Sequence, residues 1–218
     1  MLTIVIPVLD AAATLGPCLA ALDGADEIIV VDGGSTDDSV GIASCAGARV
    51  ISAPRGRGSQ LCTGGQTARG DWLLVLHADT QLGAGWREAV VAHVATAPDC
   101  AGAFDLRLDD GAWQARIIER GVALRVRLLG LAYGDQGLLI SRRLYDQVGG
   151  FRLFALMEDV DLIRRIGRHR LCRLGATALT SAERWRRDGW IRRSARNLAC
   201  LALYAGGVTP ARLARFYR

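Results

Sequence analysis

An α/β fold on a mostly parallel sheet is predicted by three features of this sequence. Short apolar runs end in a carboxylate, helical spacing fills the intervals between them, and the two alternate through the first hundred residues. Leu2–Val8 and residues 27–31 are Ile/Val/Leu-rich runs of the kind buried on both faces of a sheet. Between them, residues 11–22 carry Leu15, Cys18, Leu19 and Leu22 at helical spacing. Ser35 is the expected N-cap of a helix over 36–46, with Asp37 and Asp38 in its first turn against the helix dipole. Residues 49–53 read as a third strand and 71–76 as a fourth. A helix over 59–68 lies between them, opened by the turn Pro54-Arg55-Gly56-Arg57-Gly58. This alternation predicts a doubly wound sheet with ligands held outside the carboxyl ends of its strands.

The second half continues with a helix over 84–97, a strand over 101–108, and an Arg-bearing amphipathic helix over 113–129. A strand over 136–141, a short helix over 142–148, a Gly149-Gly150-Phe151 turn and a helix over 158–166 follow. With no repeat or low-complexity linker, 1–218 is expected to form one domain. Its parts are residues 1–110, residues 111–182 and a basic, amphipathic helical segment (183–218).

The net charge of +5 conceals a division. Residues 1–110 hold 6 Arg against 14 acidic residues, and residues 111–218 hold 21 Arg against 8. The six cysteines form no C-x-x-C pair, and no signal peptide precedes the first strand, so they read as reduced thiols of a cytoplasmic protein. The apolar stretch 198–208 is shorter than the roughly 20 residues needed to cross a bilayer.

Two strand-end carboxylates stand out. Asp32 ends Ile28-Ile29-Val30-Val31 before Gly33-Gly34-Ser35, where it suits either a nucleoside hydrogen bond or the capping of its own turn. Asp79 ends Trp72-Leu73-Leu74-Val75-Leu76-His77-Ala78. The opening Ile4-Val5-Ile6-Pro7-Val8-Leu9-Asp10 precedes them. Arg57-Gly58 stands before a helix, and Glu158-Asp159-Val160-Asp161-Leu162 comes late in the chain. In this order and spacing the set resembles family 2 glycosyltransferases, which have the GT-A (Rossmann-like) three-layer α/β fold with a central, mostly parallel sheet. With Gly134-Asp135-Gln136-Gly137 added, it most resembles the small bacterial family 2-like transferases associated with radical-SAM and selenodomain proteins.

The resemblance implies a nucleotide-diphosphate sugar donor (UDP-, GDP- or dTDP-linked) among Pro7, Leu9, Asp10, Asp32, Gly33, Arg57, Ala78 and Asp79. Asp135 and Gln136 would meet the sugar or acceptor. His77-Ala78-Asp79 stands where the family carries its D-x-D metal motif, so Asp79 is the implied ligand of Mg²⁺ or Mn²⁺ bridged to the diphosphate. A hard cation there stabilises the charge of the leaving group. His77, in place of the first Asp, is either a ligand, which favours Mn²⁺, or a residue behind the ligands.

In inverting members the acidic motif supplies the general base that takes the acceptor proton opposite the leaving group. Asp159 is the expected base, with Glu158 and Asp161 the other candidates. A helix would turn the three to different faces.

Glu183-Arg184-Trp185 matches only the end of the Q-x-x-R-W motif of processive members, which argues against long-chain synthesis and leaves Arg184 as a phosphate contact. The arginines and tryptophans of 184–196, followed by the apolar 198–208, fit peripheral contact with an anionic membrane at its inner face and a lipid-linked acceptor. No nucleic-acid recognition motif accompanies them. A sugar nucleotidyltransferase would instead open with a Gly-rich basic phosphate loop where Pro7-Val8-Leu9-Asp10 stands. A non-catalytic nucleotide-sugar-binding, membrane-peripheral protein is the other alternative.

Overall fold

The computed structural model describes residues 1–217. The elements run β1 (Leu2–Val8), α1 (Ala12–Ala20), β2 (Glu27–Asp32), α2 (Ser39–Cys45), β3 (Arg49–Ser52), α3 (Arg57–Thr67), β4 (Trp72–Val75), β5 (Thr80–Leu82) and α4 (Trp86–Thr96). They continue through β6 (Ala101–Leu108), α5 (Trp113–Leu129), a 3₁₀ turn at Gly134–Gln136, β7 (Leu138–Ser141), α6 (Arg142–Gln147), α7 (Glu158–Ile166) and β8 (Leu171–Thr180). Three helices follow: α8 (Glu183–Asp188), α9 (Trp190–Ala205) and α10 (Pro210–Tyr217).

Among the described residues eight strands form one sheet, in the order β3-β2-β1-β4-β7-β6-β8-β5. The β3-β2-β1-β4 side is parallel throughout. β7 then runs antiparallel to both β4 and β6, β6 and β8 are parallel, and β5 closes the edge antiparallel to β8. The sheet is therefore more mixed than the alternation alone predicts, because an apolar run carries no record of its direction.

Strand alternation builds the three layers. Ile4, Ile6, Val8, Leu74, Leu76 and Leu139 point to one face, where they pack with Leu15 and Leu19 of α1 and Trp86 and Val90 of α4. Val5, Leu73, Val75, Leu138 and Ile140 point to the other, against Leu61 of α3, Leu144 of α6 and Leu162, Ile163 and Ile166 of α7.

Two local expectations are corrected, and one long strand is added. The second helix begins at Ser39, not Thr36, with Asp38 at its N-cap position. Ser35 Oγ instead accepts from the Asp10 backbone N–H at 3.0 Å, and Asp37 accepts from Ala12, so short polar side chains tie this loop to the end of β1 rather than starting a helix. Residues 134–136 form the 3₁₀ turn, and β7 starts only at Leu138. β8, the longest strand, has no assignment from sequence. Gly175 (φ 75°) interrupts its alternation, and the pairing with β6 shifts register between Ala103 and Asp105.

Candidate active site

The register of β4 against β7 assembles the site. Val75 pairs with Leu138, so the residues after β4 and those before β7 emerge side by side on one rim. His77-Ala78-Asp79 thus faces the Gly134–Gln136 turn. Thr80 Oγ1 lies 2.8 Å from Thr180 Oγ1, which donates to the Asp135 carbonyl at 3.0 Å, and Ser181 N–H donates to the Asp79 carbonyl at 3.0 Å. Segments far apart in the chain are locked together at the carboxyl rim.

A cleft of about 810 Å³ opens there. Among the residues expected from sequence, Pro7, Leu9, Asp10, Arg57, His77, Ala78, Asp79 and Arg184 line it. Asp10, in the left-handed region at φ 50°, accepts from Thr36 N–H at 2.7 Å and from Thr36 Oγ1 at 3.1 Å. Asp32 and Gly33 do not line the cleft. Asp32 is buried and accepts from Gly34 N–H at 3.0 Å and Ser35 N–H at 3.1 Å, so it caps the turn beside the cleft.

Arg57, the first residue of α3, reaches across to α7, with its Nε 2.9 Å from Glu158 Oε1. Glu158 is only 3% exposed, and its carboxyl is raised to about 7 by burial, against the pull of Arg57 and with the help of Asp159. Asp159 Oδ2 accepts from Gly134 N–H at 2.8 Å. Gly134 is needed for close approach, since a Cβ there would overlap Arg57 Nη2 and His77 Nε2. His77 is partly buried, and desolvation together with the charges of Arg57 and Arg184 holds it well below the usual imidazole range. It is neutral at physiological pH, so its Nδ1, 3.8 Å from Asp79 Oδ1, forms no ion pair.

Among the described residues Asp79 Oδ1, His77 Nε2 and Asp135 Oδ1 are buried without a hydrogen-bond partner. Burial raises the Asp135 carboxyl, and so do the charges of Asp159 and Asp79. No three His, Cys, Asp or Glu side chains of the described residues form a closed metal cage. A carboxylate oxygen buried without a partner, on a residue that lines the cleft, fits a hard cation that keeps oxygen ligands from a substrate diphosphate, the usual habit of Mg²⁺.

Two expected residues are committed elsewhere. Asp161 accepts from Arg152 Nη1 at 3.1 Å and from Arg165 Nε and Nη2 at 2.9 and 2.6 Å, while Arg165 also binds the Gly150 carbonyl. This carboxylate staples the Gly149-Gly150 turn to α7. Gln136 is buried, donates to the Phe104 carbonyl at 3.0 Å and accepts from Arg125 at 3.4 Å.

Sequence reasoning did not count Gln60 or Arg55 among the site residues, and both are on the cleft wall. Gln60 Nε2 donates to the carbonyls of Val8 (2.6 Å) and Val31 (2.8 Å), clamping the ends of β1 and β2 beneath the cleft. A Gln one turn after Arg57, on the buried side of a helix, is the signal that was available.

Four of the C-terminal arginines are held in ion pairs, although of these only Arg193 is buried. Arg186 pairs with Asp110, and Arg187, Arg193 and Arg196 converge on Asp188, whose carboxyl they hold well below the usual range. Trp185 and Trp190 stack with centroids 6.5 Å apart. Among the described residues no helix is long and apolar enough to cross a membrane.

A three-layer α/β fold with carboxylates and arginines around a cleft at the strand ends is the architecture of GT-A-type glycosyltransferases. The glycosyl transferase family 2 model matches residues 3–157, and the chain belongs to that family. It is similar to a PGL/p-HBAD biosynthesis glycosyltransferase of Mycobacterium tuberculosis, 38% identical over 93 residues, which is 38% of this chain but only 36% of the relative. An uncharacterized M. tuberculosis glycosyltransferase is 36% identical over 42% of this chain and 43% of its own length. Among solved structures, glucosyl-3-phosphoglycerate synthase of M. tuberculosis, with Mn²⁺, UDP-glucose and phosphoglyceric acid, superposes with a TM-score of 0.56. The identity is 22%, over 83% of this chain and 71% of that one. Staphylococcus aureus TarS in complex with UDP-GlcNAc superposes with a TM-score of 0.64 at 14% identity, over 83% of this chain and 58% of that one.

Proposed function

We propose that this chain transfers one sugar, with inversion, from a nucleotide-diphosphate donor to an acceptor hydroxyl at or near the cytoplasmic face of a membrane, with Mg²⁺ or Mn²⁺ at Asp79. The observation that carries the reading is the convergence of Arg57, His77 and Asp159 on Gly134, with Asp79 beside His77. Asp79, on the cleft wall, carries a buried oxygen without a partner, and Asp159, fixed by Gly134 N–H, lies with Arg57 in the small pocket that adjoins the cleft.

Arg57 and Arg184 bind the diphosphate, which bidentate guanidinium geometry suits. The cation, when bound, offsets charge on the departing diphosphate. Asp159 takes the acceptor proton as the acceptor oxygen forms its bond to the anomeric carbon and the carbon–oxygen bond to the diphosphate breaks. Neutral His77 supports Asp79 from behind or adds a nitrogen ligand. UDP is the favoured nucleotide, in line with the UDP-sugars bound by both fold neighbours.

Thermal-shift titration with UDP, GDP and dTDP, with and without Mn²⁺, tests this. Stabilisation by one nucleotide only when the metal is present is the expected result. Metal-independent binding by a protein that releases no sugar from any donor would leave a non-catalytic binder as the better reading.

A further inference from the structure

The outer face of α5 belongs to no part of the site above. Every exposed side chain on this helix is apolar or an arginine. Trp113, Ile117, Leu124 and Leu128 are each between 55% and 68% exposed. At about 100° per residue they fall within roughly 60° of one another, forming a stripe four turns long. The opposite side of the helix is already used, since Ala115, Val122 and Val126 pack beneath it with Leu106 and Leu108 of β6. Glu119, the one acid of the helix, is buried and accepts from Arg107, Arg116 and the Leu108 N–H. Arg120 and Arg127 border the stripe, both exposed, and exposed Arg168 abuts Gly130 at its end.

We infer that this face of α5 docks on an anionic phospholipid surface. Apolar side chains enter the acyl boundary, Trp113 suits the headgroup level, and Arg120, Arg127 and Arg168 meet lipid phosphates. Charge decides against a second copy of the chain. A two-fold contact through this stripe would set arginine rows beside each other, and the exposed face of the helix offers no carboxylate to answer them. The inference deepens the membrane-near part of the proposed function and rests on that part alone, so lipid binding and sugar chemistry are measured separately.

The full chain is sedimented with phosphatidylcholine vesicles and with vesicles containing about a third phosphatidylglycerol. The expected result is binding to the anionic vesicles that weakens with salt. Ile117→Glu combined with Leu124→Glu should lower it about tenfold or more. Arg120→Gln combined with Arg127→Gln, which leaves the apolar stripe intact, should remove the preference for anionic lipid. Both double variants should keep the wild-type circular dichroism spectrum and donor hydrolysis in solution. Vesicle binding without donor hydrolysis by the wild type would support the inference while overturning the transferase reading. The inference is overturned if the wild type ignores anionic vesicles, if both variants bind like wild type, or if light scattering shows a dimer that the Ile117→Glu, Leu124→Glu variant makes monomeric.

Discussion

Arg57 and Glu158 form an ion pair, Nε to Oε1 at 2.9 Å, that ties the first turn of α3 to the first residue of α7 behind the cleft. The carboxylate is buried and the guanidinium is partly open to the cleft, so the pair fixes the direction in which Arg57 points. Because burial dominates, Glu158 holds its proton more tightly in the folded protein than in the unfolded chain, at about 7 against 4.5. Its contribution to stability is therefore complete below about pH 4.5 and is lost as pH rises through about 7. Glu158→Gln should flatten the pH dependence of unfolding across that window, by at most about 1.4 kcal/mol per pH unit. Denaturant titrations of both proteins through the window measure it. Parallel curves would mean that Glu158 is not the titrating group.

Asp159 and Asp161 differ in what their oxygens touch, and this separates two mutants. Asp159→Asn should lower kcat about 10²- to 10⁴-fold with little change in donor KM. Asp161→Asn weakens the grip of Arg152 and Arg165, and should cost about 1–3 kcal/mol of stability while the folded fraction keeps its turnover. Steady-state kinetics alongside equilibrium unfolding distinguishes these outcomes, and exchanged phenotypes would move the base to Asp161.

Removal of the metal should act through Asp79. Chelation is expected to weaken nucleotide binding about tenfold or more, roughly 1.4 kcal/mol. Asp79→Asn should produce the same loss and make chelation silent. Isothermal titration with UDP, with and without chelator, reads both effects. An Asp79→Asn protein that still responds fully to chelation would place the cation elsewhere.

Gly134→Ala probes crowding without adding charge. The new methyl would overlap Arg57 Nη2 and His77 Nε2 and lie 3.2 Å from Asp159 Oδ2, so the turn or the guanidinium must move. A cost of about 1–3 kcal/mol and a fall in kcat larger than the loss of folded protein are expected. Thermal unfolding and single-turnover transfer check the two parts, and wild-type behaviour in both would show that the turn adapts freely.

Much of the scaffold is local in origin and was legible from the chain. Leu2–Val8, Ala101–Leu108, Trp113–Leu129 and Glu158–Ile166 occur with the bounds that periodicity gives. The placement of His77, Asp79 and Arg57 at one rim follows from strand–helix alternation, since parallel strands put their carboxyl ends together. Sequence also set the family, through the order of its acidic and glycine motifs.

Tertiary structure decided the direction of β7, the existence of β8, and the partners on which each polar side chain is spent. Asp32 and Asp161 read like site residues along the chain, yet one caps a turn and the other binds two arginines. The same holds for Arg186, Arg187, Arg193 and Arg196, which a linear reading offers to a membrane surface and the fold pairs with Asp110 and Asp188. The reason is physical. Periodicity is written within a few residues, whereas a hydrogen bond is settled by whichever group another segment delivers within about 3 Å, and that depends on register.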